Sequence, residues 1–340
     1  MSNPFQDQSQ ISHIWLTREC NLSCGYCRVV RDTPGLKPVA DYEKDELQAK
    51  HWFENIKILN KLGSKFFLMY GAEPLRYKGL GELLDLLNQT DIHYSVHSNG
   101  TLQTELDELI SKRPLKGLTL SWDPTVFDRS VMGKTNVAKK LFLKYKEQVP
   151  DLTVTMTLLP SITEGDNIER FIDGVQWFRE QGIWCSITVI DHARNEHYDF
   201  SYVPWTKENK IQVNPRFMEL VHMLKTIYAD GKLIHNNPEW FDELEETTSK
   251  ENFYCETPWA FNVIDADGSL RMCNRIKGNK LPKYTPKDMI DKPEEVMAAF
   301  KDDYKNMCIG CSWDCAAQAT VHRRYPDKYT KEDVDKQFTH

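Results

Sequence analysis

The chain has 340 residues, of which 40% are hydrophobic and 27% charged; this supplies a sizeable core and excludes a disordered chain, a collagen and a disulfide miniprotein. No stretch approaches the ~20 apolar residues of a membrane span, and residues 1–10 lack the apolar run of a signal peptide, so the expected compartment is cytoplasmic with no membrane partner. The 43 basic and 50 acidic residues leave a net charge of −7, which offers phosphate backbones no attraction and argues against a nucleic-acid partner.

Residues 11–17 are a short apolar run that stops before the first cysteine and reads as a strand. After a loop, residues 45–62 carry apolar side chains at helical spacing, with Gly63 as a stop. Strand and helix signals then alternate. Residues 65–70, 92–97, 118–122, 152–159 and 183–190 read as strands, and residues 80–87, 102–112, 136–148 and 167–181 as helices. Six strands separated by helices argue for parallel βαβ units with right-handed crossovers. A full eight-stranded barrel takes about 250 residues, so the expectation is an α/β fold, a partial (β/α)6 TIM-like barrel. Its chemistry belongs at the C-terminal strand ends, in the segments beginning near Arg18, Gly71, Ser98, Asp123, Pro160 and Asp191. Beyond it, residues 192–250 are charged and irregular, with one good helix at 217–228. Residues 261–265 and 269–272 flank Ala266-Asp267-Gly268 and read as a hairpin. The expected division is a barrel at 11–200, a linker or helical region at 201–250 and a small domain at 251–340.

The nine cysteines are unevenly placed. An odd number in clusters reads as metal sites in a reducing compartment rather than as a disulfide framework. Cys20, Cys24 and Cys27 have the spacing C-x3-C-x2-C and follow the first strand. Three thiolates so close suit three irons of a [4Fe–4S] cubane and leave the fourth iron open, whereas structural zinc wants a fourth ligand nearby.

This motif resembles the signature of the radical S-adenosylmethionine (SAM) enzymes. Cys20, Cys24 and Cys27 match the three cluster ligands, and Tyr26 matches the aromatic before the last cysteine. Gly71-Ala72-Glu73-Pro74, after the second strand, is similar to the Gly-Gly-Glu-Pro segment whose backbone and glutamate position hold the methionine amino group. Ser98 and Asn99 resemble the turn that approaches the ribose or carboxylate, and Ser121 and Asp123 resemble the Ser-x-Asp at the end of the fourth strand. The resemblance implies reductive cleavage of SAM to a 5′-deoxyadenosyl radical, hydrogen abstraction from substrate, and a flavodoxin- or ferredoxin-type electron donor.

A second group, Cys255, Cys273, Cys308 and Cys311, suits either zinc or iron–sulfur by spacing alone. Its C-x12-G-x4-C start, with Gly268 as the glycine, resembles the auxiliary-cluster domains appended to many radical SAM enzymes. Five cysteines rather than seven resemble the truncated form, the twitch domain, and imply one auxiliary [4Fe–4S] cluster. Five cysteines for four positions leave one over: Cys315 is the expected spare, with replacement of Cys311 as a ligand the alternative; as a spare it reads either as a buried hydrophobe or as a catalytic hydrogen-atom donor. Cys185, early in the sixth strand, reads as core. The substrate is expected to be a peptide or a small molecule and the outcome a two-electron oxidation. The alternatives are epimerisation with a cysteine donor, or a non-catalytic zinc or iron–sulfur scaffold. With the first strand near residue 11, no N-terminal peptide-recognition domain is expected ahead of it, which weakens the peptide reading without removing it, because such a domain can be a separate chain.

Overall fold

The computed structural model describes residues 3–6, 11–22, 46–122, 135–158, 160–189, 214–229, 232–236, 239–242, 261–271 and 284–307. Its strands are β1 (Ile11–Thr17), β2 (Phe66–Gly71), β3 (His93–Ser98), β4 (Gly117–Ser121), β5 (Asp151–Leu158), β6 (Trp184–Val189), β7 (Phe261–Ile264) and β8 (Leu270–Arg271). Between successive members of β1–β6 lie α1 (Ala49–Lys61), α2 (Leu80–Leu87), α3 (Gln103–Lys112), α4 (Thr135–Lys146) and α5 (Asn167–Glu180). Then follow α6 (Pro215–Ile227), α7 (Asp288–Asp291) and α8 (Pro293–Met307). Strands β1 to β6 pair in sequence order and in parallel. This is the expected α/β architecture, a partial barrel of six βα units.

The sheet does not end at β1. Strand β7 pairs with it in parallel, and β8 turns back antiparallel, giving the order β6-β5-β4-β3-β2-β1-β7-β8. The expected hairpin is therefore present, but it is an extension of the barrel sheet. A buried polar network pins it there. Asn262 Nδ2 donates to Ser12 Oγ at 3.2 Å and to Ser64 Oγ at 3.1 Å, and the two hydroxyls lie 2.8 Å apart. Each of these groups would cost free energy if buried alone, so together they fix the register of β7 on β1.

The helices form where apolar spacing and stops agree. In α1 the buried residues are Ala49, Trp52, Ile56 and Leu59. Its end is closed by Gly63 at φ +115°, with Gly63 N donating to Asn60 O and Ser64 N to Leu59 O. In α5 Ile168, Phe171, Ile172, Val175 and Phe178 face the sheet. These side chains join Ile14, Leu16, Phe67, Met69, Val96, Leu118, Leu120 and Val154 in one continuous core.

At the other edge of the sheet, residues 232–236 lie along β6. Cys185 N donates to Leu233 O at 3.0 Å, and His235 N to Cys185 O at 2.9 Å. The Asn236 side chain takes both backbone groups of Ile187, at 2.7 and 2.8 Å. The edge is thus blunted by a strand-like segment that the irregular composition of 192–250 had concealed. Cys185 is fully buried, as expected, and burial pushes its thiol up to about 12.

Trp122, directly after β4, is fully buried. Its ring stacks on Phe171 with centroids 6.2 Å apart and meets Phe178 edge-on at 5.2 Å. Gly174 of α5 leaves the room for it, because a Cβ there would sit 1.9 Å from Trp122 Cη2. Alanine gains about 1 kcal/mol in helix propensity, but overpacking a closed core costs about 1–3 kcal/mol or more, and a 1.9 Å approach lies at the severe end. Gly174→Ala is therefore expected to lower Tm by a few degrees in a thermal melt; an unchanged or raised Tm would show that the indole is not locked.

Candidate active site

The C-terminal ends of β1, β2 and β3 meet through backbone and side-chain bonds. Gly71 closes β2 at φ +119°, and a Cβ there would lie 2.7 Å from Thr17 O. Only glycine allows that approach without strain. It lets Ala72 N donate to Thr17 O at 3.2 Å and Glu73 N to Glu19 O at 3.0 Å. The segment after β1, which carries Cys20, is thereby laid beside the segment after β2.

Glu73 is fully buried. Its Oε1 accepts from Leu75 N at 3.2 Å and its Oε2 from Asn99 N at 2.8 Å. Burial pushes its carboxyl above the ordinary range, while the Asn99 and Leu75 amides and the Ser98 hydroxyl pull it partly back. A carboxylate offers about four acceptor directions, so two amides and a hydroxyl do not saturate it. Asn99 bridges onward: its Nδ2 donates to Asn21 Oδ1 at 3.0 Å and lies 3.9 Å from Cys20 Sγ. Thr101 N and Oγ1 hold Asn99 Oδ1 at 2.9 and 2.5 Å, and Asn21 Nδ2 donates to Thr101 Oγ1 at 2.7 Å. Cys20 Sγ also accepts from Leu22 N at 3.4 Å. A half-buried sulfur surrounded by N–H donors suits a thiolate ligand.

The structure brings Cys20, Gly71, Ala72, Glu73, Ser98 and Asn99 together, and places Ser121 on the strand next to β3, at the end of β4. Tyr26, Cys24, Cys27, Asp123, Cys255, Cys273, Cys308, Cys311 and Cys315 lie outside the described residues.

The barrel lumen was not singled out from the sequence. Strand register puts Trp15 beside Tyr70, His97 beside Thr119, Ser121 beside Thr155, Thr155 beside Ser186 and Thr157 beside Thr188. These side chains share the face opposite the apolar core. Tyr70, His97, Ser121, Thr155, Thr157, Ser186 and Thr188 are all half-buried, while their strand neighbours on the other face are buried. Barrel interiors are usually filled by branched aliphatics, so an accessible hydroxyl face marks a cleft. The strict alternation of threonines in Asp151–Leu158 was the signal that could have found it. Deeper down, Tyr70 packs between His13 and His97, with ring centroids 5.5 and 5.4 Å apart. Burial, with the nearby His97, lowers His13 to about 3, and burial lowers His97 to about 4, so both imidazoles are neutral at neutral pH.

The chain has relatives in sequence and in fold. Among curated proteins, the GTP 3′,8-cyclase of Helicobacter pylori strain HPAG1 is 23% identical over 291 residues, covering 83% of this chain and 82% of its own. That of Staphylococcus haemolyticus is 25% identical over 214 residues, 60% of this chain and 61% of its own. Among solved structures, Streptococcus suis SuiB bound to S-adenosylmethionine superposes with a TM-score of 0.57 at 15% identity, covering 86% of this chain and 68% of that one. Native anSMEcpe with bound AdoMet gives 0.53 at 16% identity, covering 96% and 99%. At such identities the structures establish a shared fold. The radical SAM superfamily model matches residues 15–198, from mid-β1 to beyond β6. That stretch is more than half of the 340 residues and contains the Cys20, Glu73 and Asn99 arrangement; the chain belongs to the radical SAM superfamily, whose members bind a [4Fe–4S] cluster and SAM and draw on an electron donor.

Proposed function

We propose that the chain cleaves SAM reductively and takes a hydrogen atom from a peptide or small-molecule substrate, with net two-electron oxidation. The observation that carries this reading is the convergence of Cys20, Asn99 and the buried Glu73 carboxylate beside an accessible hydroxyl-lined lumen. A [4Fe–4S] cluster with one iron free of protein thiolate, together with SAM, supplies the electron transfer and the 5′-deoxyadenosyl radical. Cys20, Cys24 and Cys27 are assigned to hold that cluster, with Tyr26 beside the last thiolate. Glu73, with the Gly71 and Ala72 backbone, is assigned to the methionine ammonium. Ser98, Asn99, Ser121 and Asp123 are assigned to the ribose and carboxylate. Tyr70, His97, Thr155, Thr157, Ser186 and Thr188 present neutral hydrogen-bonding groups to a substrate lying over the lumen. Cys255, Cys273, Cys308 and Cys311 are assigned to one auxiliary [4Fe–4S] cluster in a twitch-like region; with four protein ligands it suits electron uptake rather than substrate binding. A flavodoxin- or ferredoxin-type protein in the cytoplasm is the assigned donor.

A second reading is supported by the cyclase relatives, which align over most of this chain: a nucleotide substrate. One experiment addresses both. Anaerobic protein is incubated with dithionite and SAM, with and without GTP, and analysed by mass spectrometry. 5′-Deoxyadenosine is expected from the wild type and not from Cys20→Ala; its absence from iron-loaded wild type overturns the first reading. GTP consumed in step with 5′-deoxyadenosine would favour the second.

Two further outcomes follow from the assignments. Reconstituted protein is expected to carry about eight irons, and Cys20→Ala/Cys24→Ala/Cys27→Ala about four; a triple variant without iron would remove the auxiliary cluster. Glu73→Gln is expected to weaken SAM binding about ten-fold, since a charge-assisted hydrogen bond contributes about 1.5–3 kcal/mol. Its carboxamide must also point an N–H at the amide of Leu75 or Asn99, so Tm falls as well. A lowered Tm with unchanged SAM affinity would reduce Glu73 to a lock between β2 and β3.

A further inference from the structure

The chain from Arg18 to Leu47 leaves β1 and returns to α1, and contains Cys20, Cys24 and Cys27. Both of its ends are held by one short turn, residues 265–268 of the β7–β8 hairpin. At the outgoing end, Arg18 makes a two-point contact with Asp265: Nε donates to Oδ1 at 3.1 Å, and Nη2 pairs with Oδ2. At the returning end, Leu47 N donates to Ala266 O at 3.1 Å. The Leu47 side chain lies against Gly268, where a Cβ would come within 2.5 Å of Leu47 Cδ1 and where φ is +81°. Leu47 O is held in turn by Tyr77 OH at 2.6 Å. Between the two ends, Thr17 Oγ1 donates to Glu46 Oε1 and closes the neck.

The gripping carboxylate is itself fixed. Asp265 has a side chain only 7% exposed. Its Oδ1 accepts from Ala266 N at 2.8 Å, its backbone N donates to Ser269 O at 2.8 Å, and Gly268 N donates to Asp265 O at 2.8 Å. Arg271 comes within 3.7 Å of Oδ2 and lies over the Trp15 ring at 4.8 Å. The turn is carried by β7, which the Asn262 network holds in register on β1. All of these turn residues lie beyond position 198, where the family match ends.

We propose that Asp265 is a positioning residue: with Ala266 and Gly268 it clasps both ends of the segment that bears Cys20, Cys24 and Cys27, and so holds the three thiolates in place for their iron. The proposal rests on the functional reading only for the identity of what those thiolates bind. Bidentate pairing of a guanidinium with a carboxylate adds direction to charge, and lysine keeps the charge without the fork. Arg18→Lys therefore loosens the clasp without removing a buried charge. Asp265→Asn keeps the shape of the acceptor and removes its charge.

The test uses the full chain, reconstituted anaerobically and challenged with the ferrous chelator bathophenanthroline disulfonate, with and without SAM. The iron whose release SAM slows is followed. Arg18→Lys and Asp265→Asn are each expected to bind wild-type amounts of iron, to release that iron about ten-fold faster and to bind SAM about ten-fold more weakly. The double variant is expected to be no worse than the more severe single one, because both changes remove the same contact. Tyr94→Phe, which removes the bond from Tyr94 OH to Asn88 Oδ1 near the start of β3 and so lowers stability away from the turn and the assigned SAM residues, is the control and should release iron at the wild-type rate. A wild-type release rate in either folded variant overturns the proposal, as does an equal acceleration in Tyr94→Phe. Should Asp265→Asn not fold, Arg18→Lys decides, since its side chain is 39% exposed. Wild-type iron release that SAM does not slow removes the functional reading instead, and total iron release in the same variants then decides the clasp.

Discussion

A carboxylate taken out of water must find donors, or its burial costs more than the fold can return. Glu73 is that carboxylate here. Its two oxygens reach the Leu75 and Asn99 amides, which belong to the ends of different strands. Its own amide reaches Glu19, at the end of a third. Satisfying one buried charge therefore sets the relative height of the segments after β1, β2 and β3. Gly71 makes this possible, because any Cβ there would strike Thr17 O. The spacing between Cys20 and Asn99 is a consequence of that arrangement.

The two faces of the sheet are chemically opposite. On one, Leu152, Val154, Met156 and Leu158 join the helices in the core; on the other, Thr153, Thr155 and Thr157 line the lumen with hydroxyls. A parallel strand covered by helices on one side and by side chains of the barrel on the other usually reads as an unbroken apolar run. The alternation here leaves an accessible polar surface under the site. Burial keeps the His13 and His97 imidazoles neutral, so these two rings present dipoles rather than cations to the deeper lumen.

Both ends of the barrel sheet are managed. Residues 232–236 blunt the β6 edge, and the β7–β8 hairpin continues the sheet past β1. The second extension matters for chemistry, because it sets Asp265 beside Arg18 and Ala266 beside Leu47. Residues more than 200 positions apart in the chain thus share the support of one site. The N-terminus adds to the same assembly: Asn3 Nδ2 donates to Met289 O at 2.9 Å, and Phe5 meets Phe300 edge-on at 6.1 Å.

Much of this was legible along the chain. Period-2 and period-3.6 patterns marked the six βα units to within a few residues, because helix and strand formation answers to local spacing of apolar side chains and to glycine stops. The cysteine spacing and the Gly71-Ala72-Glu73-Pro74 segment pointed to the site, because short-range chemistry is written in contiguous residues. The remainder depended on contacts between distant residues. Nothing local in Asp265 distinguishes it from an ordinary turn aspartate, and its hairpin signal says nothing of which strand it will join. Nor could the irregular composition of 192–250 announce that Asn236 would cap Ile187. The sequence alone determined the elements, their order and the chemical character of the site. The tertiary structure decided which edge received β7, which face of the sheet became the lumen and which buried carboxylates hold the strand ends together. Those choices are set by the pairing of buried polar groups across long sequence separations, and local pattern carries no record of such pairing.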